Sequence, residues 1–413
     1  MKLEVITIGD EILSGNIVDT NFAWLADQLW TMGHELHWHT SVGDEPDEIA
    51  AALKSVVGRS QAVIVTGGLG PTMDDITVEV AAQSFGLPLV LNEIALQDIK
   101  NRFKKINRDM TPNNEKQAFF PEGAQLIPNK LGTAPGCHLV YKGIHYFFLP
   151  GVPREMKNQC ETYVFSKLAG ITSAPLFFYQ KVLRCFGAPE ATIGHKLEGI
   201  DLTGMDLAYR ISFPEILLKI SVRGNGSDQA RLEKKVLEVE KEVRSRLGIL
   251  VYSEGEDSLE DLVGRLLKER KETLSVAESC TGGLLASLIT DCPGSSVYFD
   301  RGVVTYSNVS KTALLNIPEG LIKSFGAVSS ETATAMAKGL RRLSKTTYSL
   351  AITGIAGPDG GSIEKPVGTV YISLDSETGA ESHEFHFPTT REWFKRIVAY
   401  MALDILRKKL LAK

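Results

Sequence analysis

This 413-residue chain has no run of apolar residues long enough to span a bilayer. The opening MKLEVITIGDEIL carries one lysine and an apolar stretch that stops at Asp10, so it is not expected to act as a signal peptide. Basic charge is also short: the formal net charge is −5, which argues against a general nucleic-acid binder and leaves room for small phosphorylated ligands. Cysteine is sparse and scattered. Cys137, Cys160, Cys185, Cys280 and Cys292 make no CxxC pair and no metal-ligand spacing, as expected of reduced thiols in a cytoplasmic protein. Histidine is rare in the last third, where His383 and His386 offer no acid–histidine pair. What remains is ordinary globular material, 43% hydrophobic and 23% charged, too long for one core.

The pattern predicts an α/β protein in three blocks. In residues 1–170, short β-rich runs (3–8, 37–42, 61–65) alternate with helical ones (21–32, 46–57, and one ending at Phe85–Gly86), which argues for a parallel sheet with helices on its faces. Residues 171–254 read as a small α+β module. Its helix, 227–247, carries Leu232, Val236, Val239, Val243 and Leu247 on one stripe, from which a homodimer is expected unless the stripe packs on its own sheet. The polar, acidic 253–258 serves as a linker. Residues 258–413 return to alternation, with strands near 273–277, 297–305, 348–352, 367–374 and 382–387. A final helix is predicted to start at the capping box Thr389-x-x-Glu392.

The chemistry of the third block is expected in its loops. AESCTGG (277–283) joins a strand to a helix. Ser279 and Cys280 therefore sit beside a helix N-terminus that favours a developing negative charge, and Thr281, Gly282 and Gly283 let a substrate approach the backbone. A serine nucleophile without histidine needs another base. Lys311, in a short helix that Asn308 could cap, is the candidate; the alternatives are a capping serine and a solvated lysine. Cysteine is intrinsically the better nucleophile, so the residues alone do not choose between Ser279 and Cys280. TGIAGPDGG (353–361), with Thr353, Gly354 and Gly357, is a second glycine-rich loop after a strand. Arg391 could reach a phosphate from the last helix or lie idle at the surface.

The first block has its own set. TGGLGPTMDD (66–75) offers Thr66, Gly67, Gly68 and Gly70 to a phosphate, and Asp74 and Asp75 to a divalent ion, unless Thr72-x-x-Asp75 is simply a helix cap. GDEILSGNIVDTN (9–21) adds Asp10 and Asn21 at the same sheet edge, and LPGVPREM (149–156) adds Arg154.

Taken in order and spacing, AESCTGG, GVVTYSN with Lys311, TGIAGPDGG and KPVGTV resemble the nicotinamide-nucleotide amidase family over 258–413. GDEIL, TGGLGPTxDD and LPGVPxEM resemble the molybdopterin-binding-like domain of the CinA branch. The resemblance implies a metal-free amidase acting on nicotinamide mononucleotide, with Ser279 as nucleophile, Lys311 as base and Tyr306 as an orienting hydroxyl. For the N-terminal domain it implies an ADP-ribose pyrophosphatase using a divalent metal, magnesium or cobalt, with potassium as a further candidate ion. It also implies a KH-like middle module. There, Arg223-Gly224-Asn225-Gly226 lies between a strand and an acidic helix, which suits a spacer or dimerisation unit better than a nucleic-acid binder. The alternative is an N-terminal module that binds pterin or nucleotide without turnover.

Overall fold

The computed structural model describes residues 1–172 and 176–412. They divide into two compact units, Met1–Tyr179 with Val222–Lys234, and Gln180–Ser221 with Lys235–Lys413.

In the first unit a six-stranded sheet runs in the order Glu35–Val42, Lys2–Ile8, Ala62–Thr66, Ile144–Leu149, Gly136–Tyr141, Gln125–Ile127. The first four strands are parallel; the last two join as antiparallel neighbours. Ala62–Thr66 is buried along its whole length, as a central strand covered on both faces must be. The helices sit where the periodicity places them: Thr20–Thr31 capped by Asp19, Pro46–Ser55, and Thr77–Phe85 closed by a left-handed Gly86. Val5 and Ile64 pack with Leu25 and Leu29 against one face of the sheet, while Ile6, Val63 and Val65 pack with Ile49, Leu53 and Val80 against the other.

The middle module is a four-stranded sheet ordered Asp206–Ser212, Glu215–Asn225, Leu176–Cys185, Val251–Glu254. The stripe on the helix Gln229–Leu247 is buried within the chain, from Leu232 through Leu247. That burial removes the apolar face from which a homodimer was expected.

The C-terminal sheet is ordered Phe299–Val304, Leu274–Glu278, Tyr348–Gly354, Thr369–Ser376, Gly379–His386. Its first three strands are parallel and its last two form an antiparallel edge. The final helix is Arg391–Leu411, and Phe394, Val398, Ala402 and Leu406 are fully buried on it. Its cap is Thr390, which accepts from the Trp393 N–H, and not Thr389 as the capping-box pattern suggested. Among the described residues all five cysteines are free and buried, and no helix is long and apolar enough to cross a membrane.

Candidate functional site

Both parallel sheets open a cavity beyond the carboxyl ends of their strands, where loops diverge and ligands bind in open α/β sheets. In the C-terminal domain the cavity is about 220 Å³ and is lined by Ser279, Cys280, Tyr306, Lys311, Thr353 and Arg391, with Ala327, Val328, Gly354 and Ala356. Ser279 follows the strand Leu274–Glu278, and Lys311 lies on the helix Asn308–Leu315. The cap of that helix is Ser307, which accepts from the Ser310 N–H; Asn308 is already its first residue.

Lys311 is 1% exposed. Its Nζ donates to Ser279 Oγ at 3.0 Å, to the Thr305 carbonyl at 2.8 Å and to the Tyr306 carbonyl at 3.4 Å. Among the described residues no carboxylate pairs with it. Burial therefore pulls its pKa below the usual lysine range, with the Cys280 thiol opposing weakly. A buried amine beside a hydroxyl, with neutral carbonyls as its other partners, is placed where its neutral form could accept the hydroxyl proton. The solvated-surface reading of Lys311 does not survive. Cys280 is a poor rival to the serine, because burial pushes its thiol up to about 12 and Glu278 adds to the shift.

The helix N-terminus behind Ser279 is not free to take an oxyanion. Glu278, 1% exposed, accepts from the N–H groups of Gly283, Leu285 and Ala286 at 3.0, 3.1 and 2.8 Å. The chain supplies its own anion there, a role the sequence reading missed. Thr281, Gly282 and Gly283 accordingly stay outside the cavity lining. Gly282 and Gly283 take positive φ to make the turn, and Thr281 is fully buried with its hydroxyl unpartnered among the described residues. Tyr306 meets Lys311 through its carbonyl, while its hydroxyl accepts from Arg391 Nη2 at 2.9 Å. Arg391 Nη1 donates to the Gly357 carbonyl at 2.8 Å, so Gly357 positions the arginine without lining the cavity. Thr353 donates to the Ala327 carbonyl at 2.7 Å, and Lys365 to the carbonyls of Phe325 and Val328 at 3.0 and 2.7 Å. Those two side chains pin the 325–328 wall.

In the first unit a cavity of about 500 Å³ is lined by residues at or after the ends of the four parallel strands, including Glu11, Asn21, Asp44, Thr66–Gly70, Asp74, Asp75 and Glu155. Gly67 is obligatory: at φ +114°, a Cβ would stand 2.0 Å from the Ile8 carbonyl. Asn21 ties the loops together by donating to Thr66 Oγ1 at 3.2 Å and to the Gly151 carbonyl at 2.7 Å. Asp75 does not cap a helix. It takes the Thr72 N–H and hydroxyl in the preceding turn, and the helix begins later, at Thr77. Asp10 and Arg154 are not among the lining residues. Asp10 instead exchanges hydrogen bonds with Asp44, its N–H giving to Oδ2 and its Oδ1 receiving the Asp44 N–H. Asp44, which the motifs did not reveal, has its pKa raised by burial and by the nearby Asp10, Glu11 and Asp74, against the Asp10 N–H that lowers it. Clustered carboxylates of this kind suit a hard divalent cation in donor chemistry. Among the described residues, however, no three acids converge closely enough to close a metal site.

Three family models match in succession: the probable molybdopterin binding domain over 4–170, the damage-inducible protein CinA KH domain over 180–253, and the CinA C-terminal domain over 256–410. A CinA-like protein of Geotalea uraniireducens is 43% identical across 100% of this chain and 98% of its own length. The CinA-like protein of Geobacter sulfurreducens is 43% identical across 100% of both. The chain belongs to the CinA family. Among solved structures, a CinA protein of unknown function from Thermoplasma acidophilum is 38% identical, covering 40% of this chain and 96% of its own, with a TM-score of 0.38. All three domains of this CinA chain thus stand in the order that the motifs imply, and the family points towards a hydrolase.

Proposed function

We propose that the C-terminal cavity hydrolyses the carboxamide of nicotinamide mononucleotide, and that the 3.0 Å contact between Lys311 Nζ and Ser279 Oγ at the wall of that cavity is what carries this reading. Neutral Lys311 takes the Ser279 proton as Oγ attacks the carboxamide carbon. The oxyanion is held by the N–H of Cys280, a residue of the cavity lining, since Glu278 takes those further along the turn. The lysine ammonium then protonates the departing nitrogen, the C–N bond breaks, and ammonia leaves an acyl-serine ester. Water attacks that ester with Lys311 as base, and the returned proton restores Ser279 and releases nicotinate mononucleotide. Arg391, held by Gly357 and Tyr306, keeps further N–H donors for the nucleotide phosphate.

The N-terminal cavity, in this reading, takes ADP-ribose. The Gly67–Gly70 turn receives the diphosphate, and a divalent cation, which neutralises phosphate charge when bound, would be held by that diphosphate together with single carboxylates of the lining such as Asp74, since no three acids converge by themselves. Each substrate should be incubated separately with the purified chain. Ammonia and nicotinate mononucleotide from one, and AMP with ribose 5-phosphate from the other, are expected. A chain that binds both and converts neither would leave only a nucleotide-binding role.

A further inference from the structure

A second recess adjoins the N-terminal cavity, within the first compact unit. It holds about 290 Å³. Its wall includes Val78 from the helix Thr77–Phe85, and Leu89, Phe119 and Phe120 from the antiparallel pair Leu89–Leu91 and Phe119–Pro121. The two hollows share Gly68, Leu69, Gly70, Asp75 and Gln117. Two of those shared residues carry no side chain, so a ligand chain can cross from one hollow into the other. Gln117, 6% exposed, fixes the rim: its amide donates to the Leu69 carbonyl at 3.0 Å and accepts from Asn114 Nδ2 at 3.1 Å.

Charge is divided unequally between the two hollows. The larger is lined by Glu11, Asp19, Asp44, Asp74, Asp75 and Glu155, and by no lysine or arginine. The recess brings Lys116, the one cationic side chain in either lining among the described residues. Lys116 is exposed, and its ammonium donates to the neutral Thr72 carbonyl; among the described residues it pairs with no carboxylate. An ammonium has three donors, so Lys116 keeps others for a ligand. Resting on the diphosphate reading of the N-terminal cavity, we propose that the recess holds the nucleobase of that ligand and that Lys116 meets the phosphate beside the nucleoside. A diphosphate with a base at one end and a bare sugar at the other is oriented by this division. The sugar hydroxyls find carboxylate acceptors in the larger cavity, while the base finds aromatic and aliphatic walls in the recess. The reverse orientation would set the base among carboxylates and leave the phenylalanines against hydroxyl groups.

The test is calorimetric titration of the full chain, in magnesium, with AMP and with adenosine, the same base and ribose without the phosphate. Neither probe has a diphosphate to cleave, so AMP binding without AMP release from ADP-ribose would reject the activity and uphold the site. AMP should bind at or below about 1 mM, and adenosine about tenfold more weakly. Lys116→Gln, a change at an exposed position, should weaken AMP about tenfold and leave adenosine unchanged. Leu89→Trp, which places a ring in the recess, should weaken both probes at least about tenfold. Because that variant could fold poorly, saturation transfer from the unaltered chain to AMP gives a second reading, in which the base protons should receive more saturation than the ribose protons. No AMP binding at about 1 mM, a Lys116→Gln loss shared equally by adenosine, a folded Leu89→Trp that binds AMP normally, or ribose protons saturated more than base protons would overturn the proposal.

Discussion

Ser279, Lys311 and Glu278 bring three kinds of group together: a hydroxyl, an amine whose pKa burial lowers, and a carboxylate that holds the turn. Because the Lys311 pKa lies below the usual lysine range, the proton-accepting form accumulates at lower pH than for a surface lysine. The rate with nicotinamide mononucleotide should therefore rise with pH through that lowered pKa, and Lys311→Arg should be inactive, since arginine offers no neutral base. A rate that climbs only in the ordinary lysine range would reject the assignment. Glu215 offers a stability counterpart. Burial raises its pKa to about 7, with Arg184 opposing and Glu260 adding to the rise. The folded state thus holds its proton more tightly than the unfolded chain does, so this contribution is complete below the ordinary carboxyl pKa and is lost as pH rises to about 7. Arg396 and Tyr400 also face this acidic corner. The melting temperature of Glu215→Gln should fall less than that of the parent between about pH 5 and pH 7.5; parallel curves would show that the titrating group lies elsewhere.

At the scale of elements, the first turn of the last helix and the 325–328 loop form opposite kinds of wall. Thr390 caps the helix, and Arg391 at its first position is fixed by Gly357 and Tyr306. Arg391→Lys keeps the charge and loses the planar fork, so KM for nicotinamide mononucleotide should rise about tenfold with kcat little changed. An equal loss in kcat alone would place Arg391 in the chemistry instead. Lys365→Met should free the loop carbonyls of Phe325 and Val328 and raise KM, since the wall is shaped by that side chain and not by its own packing. Elements with clear alternation or caps were legible because those signals are local, whereas Glu93–Lys105, Gly136–Tyr141, Ile144–Leu149 and Leu259–Arg270 were not read from the sequence. Strand and helix boundaries differ from the sequence reading by a few residues at most, as at Asp19 for Thr20–Thr31. The caps at Ser307 and Thr390 were misplaced by one residue, because adjacent Ser, Asn and Thr side chains are equally capable and only backbone angles select one.

Over the whole molecule, the two cavities were found where glycine-rich loops follow parallel strands, and Ser279 and Lys311 were brought together as expected. What stayed hidden was every contribution from a distant segment. Asp44 enters from the loop after another strand, and Lys365 reaches a loop some forty residues away. Such contacts depend on tertiary placement, which neither spacing nor propensity encodes. The buried stripe on Gln229–Leu247 teaches the same point, because amphipathicity fixes that a face is covered and not by what. The homodimer expected from that stripe would need another face, and a monomeric mass by light scattering at working concentration would reject it. Chelator should abolish AMP release from ADP-ribose and leave amide hydrolysis intact; persistent AMP would dismiss the cation at the N-terminal acids. The most direct measurement compares Ser279→Ala and Cys280→Ala for ammonia release from nicotinamide mononucleotide, with AMP release from ADP-ribose as the control for folding. Ser279→Ala should lose ammonia release and keep AMP release, while Cys280→Ala keeps both; a dead Cys280→Ala beside a fully active Ser279→Ala would contradict the serine–lysine account.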